Sequence, residues 1–328
     1  MAGRHMTRQR PVTLTDVRDA AKRIAGHVTR TPLRASPWLS KQAGYPVRLK
    51  CETMQDTGAF KLRGATNAML GLSEETRRRG VLTLSSGNHG RALAFAAGRL
   101  GVRCVVYMSE LVPDVKVRAI RDLGADVVIA GRSQDEAEIA ALERAQQDGL
   151  HYVHPFDDPV VIAGQGTIGL EILEDMPDVA NVLVPLSGGG LFAGVALAIK
   201  TLKPDVRMIG VTMENGAAMI ASLQAGRIVQ VNEVATLADA LGGGLGTGNM
   251  HTFEMTRRTI DEALLLSEDE IAHAMRTLFT EDRLVAEGGG AVGVGALLTG
   301  RLTLNDGPTA IVISGCNIDM KRFVEIIR

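Results

Sequence analysis

The segment Thr57-Gly-Ala-Phe-Lys61-Leu-Arg-Gly64 sets one lysine between a small-residue turn, Gly58 and Ala59, and a helical run from Leu62 to Leu70. A lysine beside an aromatic in a tight turn has a fixed stem and partly dry surroundings, and loss of water lowers the pKa of an amine. A Schiff-base nucleophile needs those conditions. Most lysines are solvated charges, so the reading draws its weight from three other segments.

The first of these is Leu84-Ser85-Ser86-Gly87-Asn88-His89-Gly90, between an expected strand and an expected helix. Such junctions point backbone N–H groups at anions. The Ser, Asn and His side chains add neutral hydrogen-bond partners. A plain capping turn uses the same residue types, and on this segment alone the two readings are even. The second is Pro185-Leu-Ser187-Gly188-Gly189-Gly190-Leu191, again strand, glycine loop, helix. Three successive glycines leave backbone donors free to wrap a phosphate. Neither the G-x-G-x-x-G spacing of a dinucleotide loop nor the Gly-Lys-Ser/Thr of an ATPase loop is present. Close helix–strand packing is the plainer alternative. The third is Ile313-Ser314-Gly315-Cys316-Asn317, at the carboxyl end of the last strand, where parallel sheets collect ligands. Ser314 there could bond a ring nitrogen, although a Ser-Gly pair is more often simply a turn.

Other candidates carry less. Gly242 to Gly244 and Gly288 to Gly290 are further glycine runs, the latter read as a tight helix entry. Glu287 could abut the site, as could any carboxylate at such a junction. His27, His151, His251 and His273 show no ligand spacing, and Arg77 to Arg79 read as a solvated helix end before Gly80.

The elements that must position these residues alternate along the chain. A first helix is expected over 15–26 with Thr15 as its cap, followed by strands at 47–52, 81–84, 104–108, 127–130, 182–185, 207–212 and 310–314. Helices are expected at 90–100, 115–123, 134–147, 164–176, 191–202, 217–225, 268–281 and 291–299. Short apolar strands between amphipathic helices imply an α/β fold of parallel sheets covered on both faces. A break in the beat at His151 to Asp158 reads as a crossover between two lobes. The expected division is a large lobe, 1–55 plus 151–328, with a small α/β lobe, 56–150, inserted in it.

Composition narrows the class. The 328 residues are 45% hydrophobic, 22% charged and 3% aromatic, with net charge −1. No basic excess or aromatic platform suggests nucleic acid, and no apolar run reaches membrane-spanning length. Three scattered cysteines, Cys51, Cys104 and Cys316, have no metal spacing and suit reduced thiols in a cytoplasmic protein. Met1 to Met6 precede a second possible start and are left out of the fold reasoning.

Taken in order, the lysine turn, S-S-G-N-H, Pro155-F-D-D-P-V-V-I-A-G-Q-G-Thr167, the glycine loop and S-G-x-N resemble the threonine dehydratase and serine racemase family of pyridoxal-phosphate enzymes, fold type II, over nearly the whole chain. Thr236 to Gly244 and Glu287 to Gly293 resemble the branch called hydroxyectoine utilization dehydratases. The resemblance implies a two-lobed, tryptophan synthase β-like fold and pyridoxal 5'-phosphate as cofactor. It implies Lys61 as the Schiff-base lysine and the base at Cα, with Phe60 packed beside the ring. Asn88 would bond the phenolic oxygen, Ser187, Gly188, Gly189, Gly190 and Leu191 the phosphate, and Ser314 the pyridine nitrogen. Ser86 would stand on the opposite face of the ring, and Ser85, Asn88 and His89 would take the substrate carboxylate.

Departures are informative. Ser187 stands where many relatives have a fourth glycine. Thr212 and Ala218 stand where metal-dependent relatives have Glu and Asp, so no divalent-cation site is expected. Gly289 replaces a proline of many dehydratases, and Arg91 replaces a residue that is commonly Gln or small. Arg91 either reads a substrate anion or is a solvated helix arginine. The implied reaction is elimination of water from a β-hydroxy amino acid by a homodimeric ammonia-lyase. Racemisation on the same fold, an unusual hydroxy substrate from hydroxyectoine breakdown, and a non-catalytic ligand-binding relative are the alternatives.

Overall fold

The computed structural model describes residues 10–85, 87–110, 112, 114–132, 134–246 and 248–328. Among the described residues, ten strands form two sheets. The larger has six: β1 (Leu33–Ala35), β2 (Val47–Cys51), β7 (Asn181–Pro185), β8 (Arg207–Met213), β9 (Glu262–Leu266) and β10 (Thr309–Ile313), in the order β1-β2-β10-β7-β8-β9. The smaller has β3 (Val81–Leu84), β4 (Cys104–Met108), β5 (Asp126–Ile129) and β6 (His151–Tyr152), in the order β5-β4-β3-β6. All pairings are parallel except the β1 edge, which runs antiparallel to β2. β3, β4, β7 and β10 are buried along their whole length, as strands covered on both faces must be. The smaller sheet runs two residues past the expected return at 151, because β6 pairs with β3.

Helix starts follow caps rather than apolar periodicity. The first helix, Leu14–Ile24, is capped by Thr13 and not by Thr15, through a reciprocal capping box with Asp16. The helix expected from 164 begins at Pro159, with Asp158 accepting from the N–H groups of Val160 and Val161. The last expected helix begins at Gly288 rather than 291. Beyond the expected elements the structure adds, among others, Pro37–Ala43, Thr252–Thr259 and Met320–Ile327.

The Pro159–Asp175 helix is the spine of the molecule. A Cβ on Gly164 would lie 2.7 Å from the Cα of Gly64, and one on Gly194 would lie 2.7 Å from the amide of Gly166. The helices Lys61–Leu70 and Gly190–Leu202 therefore both approach it at backbone distance.

Two residues beyond Lys61, Arg63 is fully buried. Its guanidinium donates to Glu52 at 2.8 Å through Nε and Nη2, and to Glu171 at 2.6 and 2.9 Å. Lys50, also fully buried, donates to Glu171 and to the Thr31 carbonyl. Two cations thus face two carboxylates, with only Glu171 partly exposed. Burial would raise the Glu52 carboxyl, but Arg63 holds it below the usual range. Replacing Arg63 with Ala leaves the buried Glu52 without its ion-pair partner and Glu171 with Lys50 alone, and should cost roughly 3–5 kcal/mol of stability. Denaturant titration checks this, and a loss below about 1 kcal/mol would mean that the network is dispensable.

Candidate active site

A cavity of about 710 Å³ opens between the two sheets. Its lining includes Phe60, Lys61, Ser85, Asn88, His89, Ser187, Gly188, Gly189, Gly190, Leu191 and Ser314, so every candidate site residue that the structure describes faces one space. Ser86, the remaining candidate, lies outside the described residues. A second hollow of about 390 Å³, bordered by Arg18 and Glu174 among others, contains none of the candidates.

Backbone pairing aims Lys61 into this space. Ala59 bridges Gly315 in antiparallel fashion, the Phe60 N–H donates to the Ser314 carbonyl at 2.9 Å, and the Cys316 N–H donates to the Gly58 carbonyl at 2.9 Å. Asn317 adds a side-chain bond to the Thr57 carbonyl at 2.8 Å. The lysine turn is thereby stitched to the end of β10, which sets Lys61 and Ser314 in one register. The Lys61 ammonium donates to the Pro155 carbonyl and lies 5.3 Å from the Phe60 ring centroid. Burial lowers its pKa to about 8.

Asn88 is held at both ends of its amide. Its Nδ2 donates to Glu287 at 2.7 Å and its Oδ1 accepts from Asn317 at 2.7 Å. One N–H remains for a ligand. His89 is 2% exposed, and its Nε2–H donates to the Val153 carbonyl at 3.2 Å. Burial, with the nearby Lys61 charge, pushes its pKa down to about 3, so the imidazole is neutral. Nδ1 has no described partner. Ser85 is half-buried, and its hydroxyl accepts from the Gly87 N–H at 3.3 Å.

The glycine loop runs from β7 into the Gly190–Leu202 helix. A Cβ on Gly188 would meet the Phe156 ring at 2.6 Å, and one on Gly190 would meet the Phe156 carbonyl at 2.8 Å. Gly189 has φ +89°, a left-handed conformation that a side chain would strain. The loop can therefore approach a bound phosphate through its backbone alone, at a helix N-terminus. Ser314 is 4% exposed and makes only a long bond, 3.5 Å, to the Gly289 carbonyl. A dry amine, a glycine phosphate cradle and a neutral hydroxyl in one cavity fit pyridoxal phosphate.

Three lining residues, Phe156, His154 and Glu287, owe their place in the site to contacts that local sequence pattern does not show. Phe156 closes the outer side of the glycine loop, and His154 stacks edge-on against it at 4.6 Å. His154 Nδ1 accepts from the Asp157 N–H at 2.8 Å, and burial lowers its pKa. Pro155 to Thr167 contains both Phe156 and the Asp158 cap, which was the available signal. Glu287 is 4% exposed, and burial raises its carboxyl to about 7.

The chain matches the family of pyridoxal-phosphate dependent enzymes over residues 24–315, and it belongs to that family. Its α/β fold is that of fold type II. An L-threonine ammonia-lyase of Geobacter sulfurreducens is 46% identical over 317 residues, covering 97% of this chain and 78% of the relative. The catabolic L-threonine dehydratase of Escherichia coli is 40% identical over 98% of both chains. Among solved structures, maize serine racemase superposes with a TM-score of 0.91 at 31% identity, over 96% of this chain and 97% of its own.

Two outcomes follow from this geometry. The Glu287 carboxyl is favoured as the neutral acid in the folded cofactor-free protein, so its contribution to stability is full below about pH 4.5 and is lost as pH rises towards about 7. Glu287→Gln should remove that slope, worth roughly 3 kcal/mol, in denaturant titrations from pH 4 to 8. An unchanged slope contradicts the assignment. Gly188→Ala should weaken pyridoxal phosphate binding tenfold or more, on the order of 1.4 kcal/mol, by forcing Phe156 aside. Fluorescence titration of the cofactor-free protein measures it.

Proposed function

We propose that this protein eliminates water from a hydroxy amino acid and releases a 2-oxo acid and ammonia, as a threonine dehydratase-like lyase. The observation that carries the reading is Lys61, an amine with a pKa near 8 facing a glycine phosphate cradle and a neutral serine. The names of the Geobacter and Escherichia relatives support it.

When bound, pyridoxal phosphate holds the substrate amine and withdraws electrons from Cα. In this proposal Gly188 to Leu191 offer backbone N–H groups to its phosphate, with Ser187 beside them. Asn88 donates its free N–H to the phenolic oxygen, and Phe60 lines the ring's edge. Ser314 would offer the pyridine nitrogen a neutral hydroxyl rather than a carboxylate, so the bound ring would act as a weaker electron sink. Ser85, Asn88 and His89 orient the substrate carboxylate, His89 through its backbone N–H at the start of the Asn88–Arg99 helix, because its one ring N–H is held by Val153. Lys61 takes the Cα proton. With a pKa near 8, about one amine in ten is neutral at pH 7, against fewer than about one in a thousand for an ordinary lysine. Ser86 is assigned the opposite face of the ring.

The proposal includes the division into lobes 1–55 plus 151–328 and 56–150, with the return moved to just after Tyr152. It extends to a cytoplasmic homodimer and to a role in hydroxyectoine utilization. For the last, the segments 236–244 and 287–293 meet at the cavity, where a Cβ on Gly288 would strike the Leu237 carbonyl. Among the described residues no helix is long and apolar enough to cross a membrane. The close superposition on maize serine racemase favours racemisation as the second reading.

A panel of L-threonine, L-serine, hydroxyectoine and its ring-opened products, assayed for 2-oxo acid and for D-serine, tests these readings. Elimination predicts 2-oxo acid as the main product and a loss of about a thousandfold or more in Lys61→Ala. D-serine as the main product, or full activity in Lys61→Ala, contradicts it. In the cofactor-free protein the neutral amine appears as pH rises through about 8. Capture of pyridoxal phosphate by Lys61 should therefore quicken through that pH and level off above it, rather than keep climbing until about pH 10.4 as with an ordinary lysine.

A further inference from the structure

Three arginines carry a buried Nε without a described partner: Arg77, Arg91 and Arg207. Two of them are otherwise anchored. Arg77 donates to the Leu70 carbonyl at 3.0 Å, and Arg207 pairs with Glu262 at 2.8 Å. Arg91 differs, because its guanidinium makes no hydrogen bond and no ion pair with any described residue. It is half-buried and lines the same cavity as Lys61 and Asn88.

Stability gives no reason for this placement. Arg91 lies in the first turn of the Asn88–Arg99 helix, where the macrodipole disfavours a cation. Partly dehydrating an unpaired guanidinium adds a further cost. Arg63 shows how this fold treats a structural guanidinium, with Nε and both terminal nitrogens bonded to carboxylates. Two acids that line the cavity with Arg91 are bonded to other groups. Glu287 accepts from Asn88, and Asp239 pairs with Lys116 at 3.1 Å across the lobes. The loop from Ser85 to His89 already serves the α-carboxylate in the proposed function. What remains is a planar fork of donors, beside a helix N-terminus that attracts the same charge.

We infer that Arg91 receives a carboxylate carried on the substrate's side chain, so that the hydroxy amino acid acted on is dicarboxylic. One guanidinium matches one carboxylate in both shape and charge. This inference rests on the elimination reading of the same cavity.

The test compares charged and neutral isosteres on the holoenzyme. Calorimetry should show succinate binding about tenfold or more tightly than succinamate, and Arg91→Gln should bring the two within about twofold. In turnover, kcat/KM for 3-hydroxyaspartate relative to 3-hydroxyasparagine should fall by about tenfold or more in Arg91→Gln, and Arg91→Lys should restore part of the ratio. No preference for succinate in the unmodified protein overturns the inference, whatever the variants do. Equal losses on charged and neutral substrates also overturn it, because they place Arg91 on the α-carboxylate. Succinate preference without 2-oxo acid from any hydroxy amino acid overturns the elimination reading and leaves the carboxylate site standing.

Discussion

Arg63, dry and shared between Glu52 and Glu171, is the constraint on which the rest of the structure depends. Glu52 follows β2 in the larger sheet, Glu171 sits on the spine helix, and Arg63 rides on the helix that Lys61 begins. Each of these charges would be costly to bury alone, and Lys50 balances the set. The four groups must therefore be assembled together. That assembly fixes the first turn of the 61–70 helix, and with it the stem of Lys61. The Gly64–Gly164 contact brings the same helix against the spine, where a methyl group on either residue would hold it off.

Fixing the stem does not by itself choose a direction. The direction comes from the backbone stitch between residues 58–60 and 314–316 at the end of β10. One short antiparallel bridge presents the amine and the neutral Ser314 hydroxyl to the same cavity. The Asn317–Asn88–Glu287 chain then spans from β10 to the smaller sheet's helix at 88–99 and back. Its groups are amides and a carboxyl that burial favours as the neutral acid, so the polar wall beside Lys61 adds little charge of its own. This accords with a site in which the lysine and the substrate carry the charges that matter.

Much of this was legible in the sequence. Fully buried strands such as β4 and β7 are runs of apolar residues and stand out. The glycine loop, S-S-G-N-H and S-G-x-N are local patterns that survive without knowledge of the fold. What was not legible depends on distance in space. β1 and β9 are edge strands, partly exposed, and their mixed residues blur the pattern. The helix starts at Leu14 and Pro159 rest on the caps Thr13 and Asp158, which apolar periodicity does not weigh. The roles of Glu287, Phe156 and Arg63 come from partners far along the chain. Glu287, for example, meets Asn88 across 199 positions. Arg91 is a distinct case. The sequence reads equally as a solvated helix arginine or an anion reader, and a half-buried guanidinium with an unpartnered, buried Nε favours the second.

The central claim is that Lys61 alone, among the lysines of this chain, is the cofactor's attachment point. Borohydride reduction of the holoenzyme followed by peptide mass mapping tests this most directly. The account predicts a single phosphopyridoxyl-modified lysine at Lys61. Modification at another lysine, or spread over several, would contradict it.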